Sequence, residues 1–294
     1  MCLRHSPSHQ VLQQGDLGTK PNILRILSYL VIAGATILYG VPIIWIIVSS
    51  FKPVSEALTG YSLGQVLFYF KPTLNAYSRI LAGPFIADLI NSTIVATSTV
   101  LICLALGVPA AYRLARTKNA FTRNLTAWII STRMAPVFAL SLSFFILMTR
   151  IIPLYDTVFA LITVYLTFNL SLSIWILMGY FEGVPIELER AAMIDGASGL
   201  QTLRKIILPI SKPAIITVSI VVFLFSWNEF LFAFLLTSTA ARTVPAFVAD
   251  FVGIVVIDWP AMTAISTLFM LPALILLTVA QKYIVKGLTM GALK

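Results

Sequence analysis

The charged residues of this chain are spaced so that six long apolar stretches remain between them. Four stretches lack Asp, Glu, Lys and Arg altogether, namely residues 26–51, 89–112, 157–181 and 259–281. Two more carry a single charge each, Arg133 within 124–149 and Glu229 within 213–241. A helix needs roughly 20 apolar residues to cross about 30 Å of hydrocarbon. The sequence therefore predicts six membrane spans, near 26–50, 89–112, 124–148, 157–181, 213–238 and 260–281.

The composition agrees with a chain whose solvent is a lipid bilayer. Hydrophobic residues make up 59% of the 294 residues, charged residues only 11%, and the mean hydropathy is +0.95. A soluble domain typically carries about 25% charged residues. A transmembrane barrel would show alternating segments of roughly ten residues, and the sequence lacks them. We therefore predict an all-α polytopic membrane protein.

The distribution of Lys and Arg predicts the orientation of the six spans. If the N-terminus lies in the cytoplasm, the segments on that side hold 14 of these residues and the segments on the other side hold five. Basic residues concentrate on the cytoplasmic side of membrane proteins. Both termini are therefore predicted to be cytoplasmic. The net charge of +9 then follows from topology, so membrane lipids are expected as partners and nucleic acid is not.

The chain is predicted to consist of a membrane domain with a tail at each end. Residues 1–22 are polar and lack an apolar core, as expected for a cytoplasmic tail. Residues 23–286 form the membrane domain, and its first span is too long for a cleaved signal peptide. Residues 287–294 are predicted to be a second cytoplasmic tail. Cys2 and Cys103 show no metal-ligand spacing and are expected to be structural.

The loop 182–212, between the fourth and fifth predicted spans, is rich in charge and in helix signals. Glu187 and Glu189 would lie in the first turn of a short helix, where the helix dipole favours acids. Asp195 and Gly196 form a turn signal that ends this helix and redirects the chain. The loop is therefore predicted to begin with a short, sharply terminated helix.

A second, basic helix is predicted at about 199–207, ended by Leu208 and Pro209. Ala191 and Ala192 leave one face of the first helix nearly bare, which would let another surface approach closely. Two interpretations follow. The two helices are either a rigid knob that docks on another protein or a connector that lies on the membrane surface.

This loop resembles the coupling loop of ATP-binding-cassette importer permeases. That pattern is Glu-Ala-Ala, three residues, Gly, nine residues, Ile, one residue and Leu-Pro. The positions that match it here are Ala191, Ala192, Gly196, Ile206, Leu208 and Pro209. Arg190 stands where the pattern has Glu, and Glu189 lies one place earlier. The resemblance implies an ATPase-coupling site formed by Glu187, Glu189, Arg190, Ala191, Ala192, Asp195, Gly196, Leu208 and Pro209.

Flanking segments resemble the carbohydrate-type permeases, especially the six-span permease subunit of maltose- and trehalose-type importers. The segments are "WNEFLFAFLLT" (227–237), "IDWPAMTAISTL" (257–268) and "VKGLTMGALK" (285–294). The resemblance implies import of a di- or oligosaccharide of the trehalose or maltose type across a bacterial or archaeal plasma membrane. A polyol or a glycerol-phosphate-type solute stays open as an alternative.

The resemblance also implies a set of partners. They are a second, different permease subunit, two ATPase subunits that bind ATP and Mg²⁺, and an extracytoplasmic solute-binding protein or lipoprotein. This chain is expected to have no catalytic site, metal site or cofactor, because it lacks a Walker phosphate loop and because His5 and His9 both lie in the tail. A secondary transporter is less favoured, since only Glu229 is a deep acid and no internal repeat is visible.

Polar residues inside predicted spans are candidates for the translocation path, because charge at membrane depth is expensive. Arg133 lies ten residues after Arg123, which places it about 15 Å into the third span. Glu229 lies in the outer half of the fifth span, and the two could pair if their helices are neighbours. The candidate path residues are Asn91, Arg133, Asn169, Trp227, Asn228 and Glu229. The alternative for the amides and the indole is contact between helices.

Overall fold

The computed structural model describes residues 23–56, 69–251 and 257–291. The regular structure of these ranges is helical, which confirms the all-α prediction. In chain order the helices are α1 (Ile23–Ser49), α2 (Asn75–Ala82), α3 (Phe85–Arg116), α4 (Ala120–Thr132), α5 (Val137–Ile151), α6 (Val158–Glu182), α7 (Glu187–Ile194), α8 (Gly199–Ile210), α9 (Lys212–Trp227), α10 (Leu231–Leu236), α11 (Val244–Val248) and α12 (Trp259–Gly291). Single 3₁₀ turns lie at Val54–Glu56 and Ala249–Phe251.

Between four and six helical segments of the described chain could cross a membrane, a range that includes the six predicted spans. In the described ranges, α1, α3, α6 and α12 are long and apolar enough to cross. Two sharply bent pairs, α4 with α5 and α8 with α9, could each supply one more crossing. The bilayer core offers no water to hydrogen-bond backbone groups, so a spanning segment must satisfy them internally, and an α-helix does so. The apolar side chains of these helices can face lipid without cost.

The structure covers part of the predicted C-terminal tail but none of the predicted N-terminal tail. Residues 23–45, which make up most of α1, form one unit of the described chain, and α1 is an apolar helix with Pro42 inside it. The predicted tail 1–22 lies outside the described residues. At the other end, α12 continues as far as Gly291, into the segment predicted as the tail 287–294. Residues 292–294 lie outside the described part.

The third predicted span is broken in its middle. Helix α4 ends at Thr132, α5 begins at Val137, and their axes meet at 88°. Pro136 stands immediately before α5, and a proline both lacks the N–H that would continue a helix and disfavours helical backbone at the preceding residue. The sequence predicted one continuous span over 124–148, so the structure corrects it to two half-length helices.

The fifth predicted span is interrupted as well, and it contains no proline at the interruption. Helix α9 ends at Trp227 and α10 begins at Leu231. The carboxylate of Glu229 accepts hydrogen bonds from the N–H groups of Phe232 (3.0 Å) and Ala233 (3.2 Å). A carboxylate at this position satisfies backbone donors that the start of α10 would otherwise leave unpaired. Each of the two spans that contain a charge is therefore interrupted next to that charge.

Helices α3 and α6 cross closely through a row of small residues. Cys103, Gly107, Ala111 and Ala115 recur every fourth residue along α3, and all four are buried. A Cβ atom added to Gly107 would lie 3.4 Å from Cβ of Ser173 on α6, so the two backbones nearly touch. Small residues at such crossings allow close van der Waals packing without help from the hydrophobic effect. This contact forms the core on the side of the 182–212 loop.

A separate core lies towards the opposite ends of the spans, where α5, α6, α10 and α11 meet. Its largest buried side chains include Met148, Leu161 and Phe232. Phe168 stacks on Phe232 with ring centroids 5.7 Å apart, and Phe144 meets the same ring edge-on at 5.5 Å. Aromatic packing of this kind holds the outer half-helices α5 and α10 against α6.

Asp156, in the turn between α5 and α6, binds the segment that follows α10. Its backbone has a positive φ of 55°, a conformation that Asp tolerates better than most residues. Its carboxylate accepts hydrogen bonds from the backbone N–H groups of residues 238–241 at 2.9–3.2 Å and from the hydroxyl of Ser238 at 2.7 Å. Burial alone would raise the pKa of Asp156, but these donors outweigh it and hold the pKa below the usual range.

Replacing Asp156 with Ala is expected to lower the thermal unfolding midpoint of the detergent-purified protein. Several backbone donors would lose a charged acceptor, at a cost of about 2 kcal/mol. Because the folded-state pKa is depressed, the stability that this carboxylate supplies is present above about pH 4 and decreases as the pH falls below that value. Midpoints measured at pH 7 and near pH 3 should differ less in the variant than in the wild type. An equal pH dependence in both proteins would contradict this role.

Candidate functional site

The first candidate site is the loop 182–212. Helix α7 begins at Glu187 with Glu187 and Glu189 in its first turn, as predicted. It ends with Gly196 in the left-handed conformation (φ 83°), which confirms the predicted turn. The N–H of Gly196 bonds to the carbonyl of Met193 (3.1 Å) and that of Ala197 to the carbonyl of Ala192 (2.9 Å). This pair of bonds is the Schellman arrangement, in which glycine avoids a steric penalty.

The second helix of the loop is longer than predicted. Helix α8 begins with a reciprocal capping box between Ser198 and Gln201 and runs to Ile210. The predicted stop at Leu208 and Pro209 is wrong. The turn Leu203–Ile207 is a π-helical turn, and this wider turn accommodates Pro209 without breaking the helix. The chain bends by 79° only beyond Ile210, where α9 begins.

Glu189 is held inside the protein by two side chains of α3. Its carboxylate accepts a hydrogen bond from Nε of Arg116 at 2.6 Å and one from the hydroxyl of Tyr112 at 2.8 Å. Only 4% of Glu189 is exposed. A carboxylate buried with both oxygens bonded to strong donors is fixed in place, because releasing it would leave uncompensated charge. Glu189 therefore fastens α7 to α3 from within.

Arg116 extends the same connection to a third helix. Its Nη1 donates to the carbonyl of Phe181 (2.7 Å) and its Nη2 to the carbonyl of Val184 (3.0 Å). These acceptors lie at the carboxyl end of α6, where helical carbonyls lack intrahelical partners. One guanidinium therefore joins the ends of α3 and α6 to α7. With 32 residues, α3 is about 48 Å long, so it connects this site to the far side of the membrane.

The predicted coupling residues divide into two groups according to the direction they face. Glu189 and Ala192 (5% exposed) point into the protein, so the prediction that Ala191 and Ala192 together form one bare outer face is wrong. Adjacent positions on a helix lie about 100° apart and do not share a face. Exposed positions of the predicted set are Glu187, Arg190, Ala191, Asp195, Gly196 and Pro209, and Leu208 is partly exposed.

The outward surface of the loop is apolar at its tip. Ile194 is 86% exposed and Leu200 is 64% exposed, on either side of the Gly196 turn. Charged side chains of both signs are exposed on the same loop, namely Glu187, Arg190, Asp195, Arg204 and Lys205. An exposed apolar tip among charged side chains has the character of a protein-docking surface. The geometry favours the docking knob over a passive connector.

The second candidate site is a cavity at the two helix breaks. Its volume is about 280 Å³, and its lining residues are Arg133, Val137, Tyr165, Phe168, Asn169, Phe225, Glu229 and Phe232. Arg133 closes the carboxyl end of α4, and Glu229 lies between α9 and α10. The breaks thus bring the two charged residues of the third and fifth spans to one cavity. Non-helical backbone is tolerated at membrane depth where it lines such a cavity.

The two charges face the same cavity without pairing. Within the described part of the chain, no ion pair joins Arg133 to Glu229. The guanidinium of Arg133 donates to the carbonyl of Phe168 at 3.3 Å and lies over the ring of Phe225, 5.0 Å from its centroid. Glu229 is held by the backbone of α10. Each charge is therefore fixed by its own surroundings.

Of the six predicted path residues, three line this cavity and three do not. Asn169 lines it and also donates to the hydroxyl of Ser226 at 3.2 Å, which joins α6 to α9. Trp227 is only 2% exposed and stacks on Phe269 with centroids 4.5 Å apart, so it is a contact between α9 and α12. Contact between helices was the alternative interpretation of the Trp227 indole in the sequence.

Asn91 and Asn228 also lie away from the cavity. Asn91 donates to the carbonyls of Ala240 and Arg242, both at 3.0 Å, and so holds the segment after α10. Asn228 donates to the carbonyl of Leu224 in its own helix at 2.9 Å and lines a neighbouring groove. Amides satisfy backbone carbonyls at such places because water is scarce there. Neither residue lines the cavity itself, but Asn228 lines the groove beside it, which shares Phe225 and Glu229 with the cavity.

Several important residues were not predicted from the sequence. Arg116 was counted only as a basic residue of the inner side, and Tyr112 and Asp156 received no role. The ion pair of Arg242 with Asp88 (3.1 Å) was also missed. Of these residues, only Asp156 had a local sequence signal: Asp tolerates the left-handed conformation, and it directly precedes Thr157, the N-cap of α6. The other pairings join residues more than 70 positions apart, so they can be identified only from the folded structure.

The fold and the two sites together are typical of a polytopic membrane transport protein, with an exposed helical loop at 182–212 and a polar cavity between broken spans. The family described as "Binding-protein-dependent transport system inner membrane component" matches residues 104–290. The chain belongs to this family. The recognition of an ATP-binding-cassette importer permease from the loop 182–212 is thereby confirmed.

Curated relatives match over most of their length. The trehalose/maltose transport system permease protein MalG of Thermococcus litoralis is 40% identical over 267 residues, which cover 86% of this chain and 91% of that protein. The trehalose transport system permease protein SugB of Mycobacterium tuberculosis is 36% identical over 257 residues, with 86% and 92% covered.

A solved structure shows the same fold. A chain of a bacterial ABC transporter involved in the import of the acidic polysaccharide alginate superposes with a TM-score of 0.73 at 24% identity. The match covers 89% of this chain and 96% of that chain. At this identity the likeness establishes the architecture of the membrane domain, with its long spans and inserted loop.

Proposed function

We propose that this chain is one transmembrane half of an ATP-driven importer for a di- or oligosaccharide of the trehalose or maltose type. The observation that carries the proposal is the buried connection of Glu189 to Arg116, which makes the exposed knob a rigid extension of α3 and α6. A movement imposed on the knob from outside is then transmitted directly to the spans. Relatives whose printed names specify trehalose or maltose support the solute class.

The proposed assembly contains three further kinds of subunit. A second, different permease completes the path, two ATPase subunits bind ATP and Mg²⁺, and an extracytoplasmic binding protein or lipoprotein delivers the solute. The family description, which refers to binding-protein-dependent transport, supports the last of these. In this assembly the knob lies in the cytoplasm, both termini are cytoplasmic, and this chain binds no nucleotide.

The alternative solute is a polyol or a glycerol-phosphate-type molecule. Arg133 in the cavity would suit an anion, but Glu229 lines the same cavity and opposes one. The balance of charge therefore favours a neutral, hydroxyl-rich solute.

The proposal is tested by reconstituting the complete complex in proteoliposomes with its binding protein. Labelled trehalose and maltose should accumulate only with ATP, and a Walker-motif variant of the ATPase subunits should abolish uptake. Glycerol 3-phosphate should neither be taken up nor compete. Uptake that needs an ion gradient but no ATPase subunits would contradict the ATP-driven role, and uptake of glycerol 3-phosphate alone would contradict the sugar assignment.

A further inference from the structure

We propose that the cavity lined by Arg133 and Glu229 is a contact site in this subunit for one neutral sugar ring of the transported solute. The inference rests on the proposed function and adds to it the place and the chemistry of solute contact. It assigns this subunit a direct part in holding the solute, in addition to its docking knob. The observation behind this proposal is that two opposite charges, which form no ion pair with each other, and four aromatic rings line one cavity between broken helices.

The size of the cavity fits one ring. Pockets that hold drug-sized ligands have volumes of roughly 300–1,000 Å³. At about 280 Å³ this cavity is at the lower limit, so it takes one ring of a disaccharide at a time. The rest of the solute would extend into the groove beside it, which shares Phe225 and Glu229.

The lining of the cavity has the two kinds of surface that a sugar ring presents. Phe168 and the exposed Phe225 supply apolar ring surface for the C–H groups of a pyranose, and Phe232 supports them from behind by stacking on Phe168. Arg133 supplies N–H donors and Glu229 supplies carboxylate acceptors, so that hydroxyl groups can both accept and donate. Hydrogen bonds to charged groups are shorter and stronger than those between neutral groups. A polyhydroxylated ring can therefore satisfy both charges at once.

The charges also define which solutes are excluded. With one positive and one negative side chain, the cavity has no net charge from these two residues. An anion beside Arg133 would be repelled by Glu229, and a cation beside Glu229 would be repelled by Arg133. A neutral ligand that bridges the two meets neither penalty. This arrangement differs from an ion pair, which would close the cavity and leave little for a solute to bind.

Both side chains are held in position before any solute arrives. Arg133 is restrained by the carbonyl of Phe168 and the ring of Phe225, and Glu229 by the N–H groups of Phe232 and Ala233. A guanidinium has five N–H donors, and the single hydrogen bond that Arg133 donates to Phe168 leaves most of them for a ligand. Fixed groups of this kind bind with less loss of side-chain entropy.

The position of the charges argues against a purely structural role. A charged side chain at membrane depth is costly and is normally paired or part of a solute path. Among the described residues neither Arg133 nor Glu229 has an ion-pair partner. The free-energy cost of placing these charges at membrane depth is explained if a polar solute forms hydrogen bonds with them.

The test uses protection of a cysteine placed in the cavity of the complete complex. Val137→Cys introduces a thiol in the lining, and Phe138→Cys introduces one at the next position, which is exposed and outside the lining. Both are made with Cys2 and Cys103 replaced by Ser. With saturating trehalose, alkylation of the Val137→Cys thiol by a maleimide should slow about fivefold, because an occupied cavity excludes the reagent for most of the time. Alkylation of the Phe138→Cys thiol should not change.

Charge variants test the proposed chemistry in the same assay. Adding Glu229→Gln or Arg133→Gln to Val137→Cys should raise the trehalose concentration for half-protection about tenfold, as expected for loss of a charge-assisted hydrogen bond. Arg150→Gln, at the exposed end of α5, is the matched control and should leave that concentration unchanged. Glycerol 3-phosphate should give no protection.

The outcomes separate this site from the proposed function. A wild-type complex that transports neither trehalose nor maltose would contradict both. Normal sugar transport without protection of Val137→Cys, or without protection of Phe168→Cys if the first variant fails to assemble, would overturn the site alone. Equal protection by glycerol 3-phosphate would overturn its assignment to neutral sugars.

Discussion

Replacing Arg116 with Met is expected to reduce sugar uptake by the reconstituted importer by about tenfold or more. The substitution keeps an unbranched apolar stem but leaves the carboxylate of Glu189 buried without its ion-pair partner. Breaking a buried pair in this way costs about 3–5 kcal/mol, which α7 can avoid only by moving so that Glu189 reaches water. The knob would then no longer move together with α3 and α6. Sugar transported per ATP hydrolysed in proteoliposomes measures the loss.

Two controls show whether the effect comes from the connection itself. Arg113→Met changes an exposed arginine of the same helix and should leave uptake near the wild-type level. The double variant Arg116→Met, Glu189→Leu removes both charges and should recover much of the uptake, because apolar replacements of a buried pair are often tolerated. Wild-type coupling in Arg116→Met alone, with normal amounts of assembled complex, would show that the pair does not transmit movement.

Replacing Gly196 with Val should also uncouple uptake from ATP hydrolysis, again by about tenfold. The backbone at Gly196 has a φ of 83°, and a residue with a Cβ atom costs roughly 1–2 kcal/mol there, more when it is β-branched. No neighbouring atom lies within 4 Å of the added Cβ, so the cost comes from the backbone and not from a clash. Relieving it requires the turn to change, which displaces Ile194 and Leu200 at the tip of the knob. The ratio of uptake to hydrolysis is the appropriate measurement.

Matched substitutions distinguish this backbone effect from a simple increase in bulk. Gly196→Asn should retain most of the coupling, because Asn tolerates the left-handed conformation. Gly199→Val adds the same side chain three residues later, at a glycine with open space around it and no left-handed φ, and should be milder. If Gly196→Val and Gly199→Val behaved alike, the left-handed turn would not be what positions the knob.

The parts of the fold that were predicted correctly depend on local properties of the chain. Span lengths follow from runs of apolar residues, and the two ends of α7 follow from its acidic first turn and from Gly196. These features could be predicted because each depends on residues within one or two helical turns. The break at Pro136 also has a local cause, but it was not predicted, because a kink and an 88° break cannot be told apart from the sequence.

The parts that were missed depend on contacts between distant segments. The break between α9 and α10 contains no proline, and its cause is Glu229 binding the backbone of α10. Glu189 was predicted to be a coupling residue, but its bond to Arg116, 73 positions earlier, was not predicted. Asn91 was placed in the path because it is polar, yet its amide binds carbonyls about 150 positions away. Polarity predicts that a partner exists, but only the fold shows which one.

The broken third span has a consequence for how the protein enters the membrane. Helix α4 has 13 residues and rises about 20 Å, so neither it nor the short α5 can cross roughly 30 Å of hydrocarbon alone. With Arg133 at the break, this segment is a poor substrate for insertion by itself. We infer that it is retained only after α6, which contacts both halves, has been synthesised. Insertion assays on chains truncated after residues 156 and 182 would reveal this dependence. The spans would then be synthesised one after another, but the third would become stably inserted only together with α6.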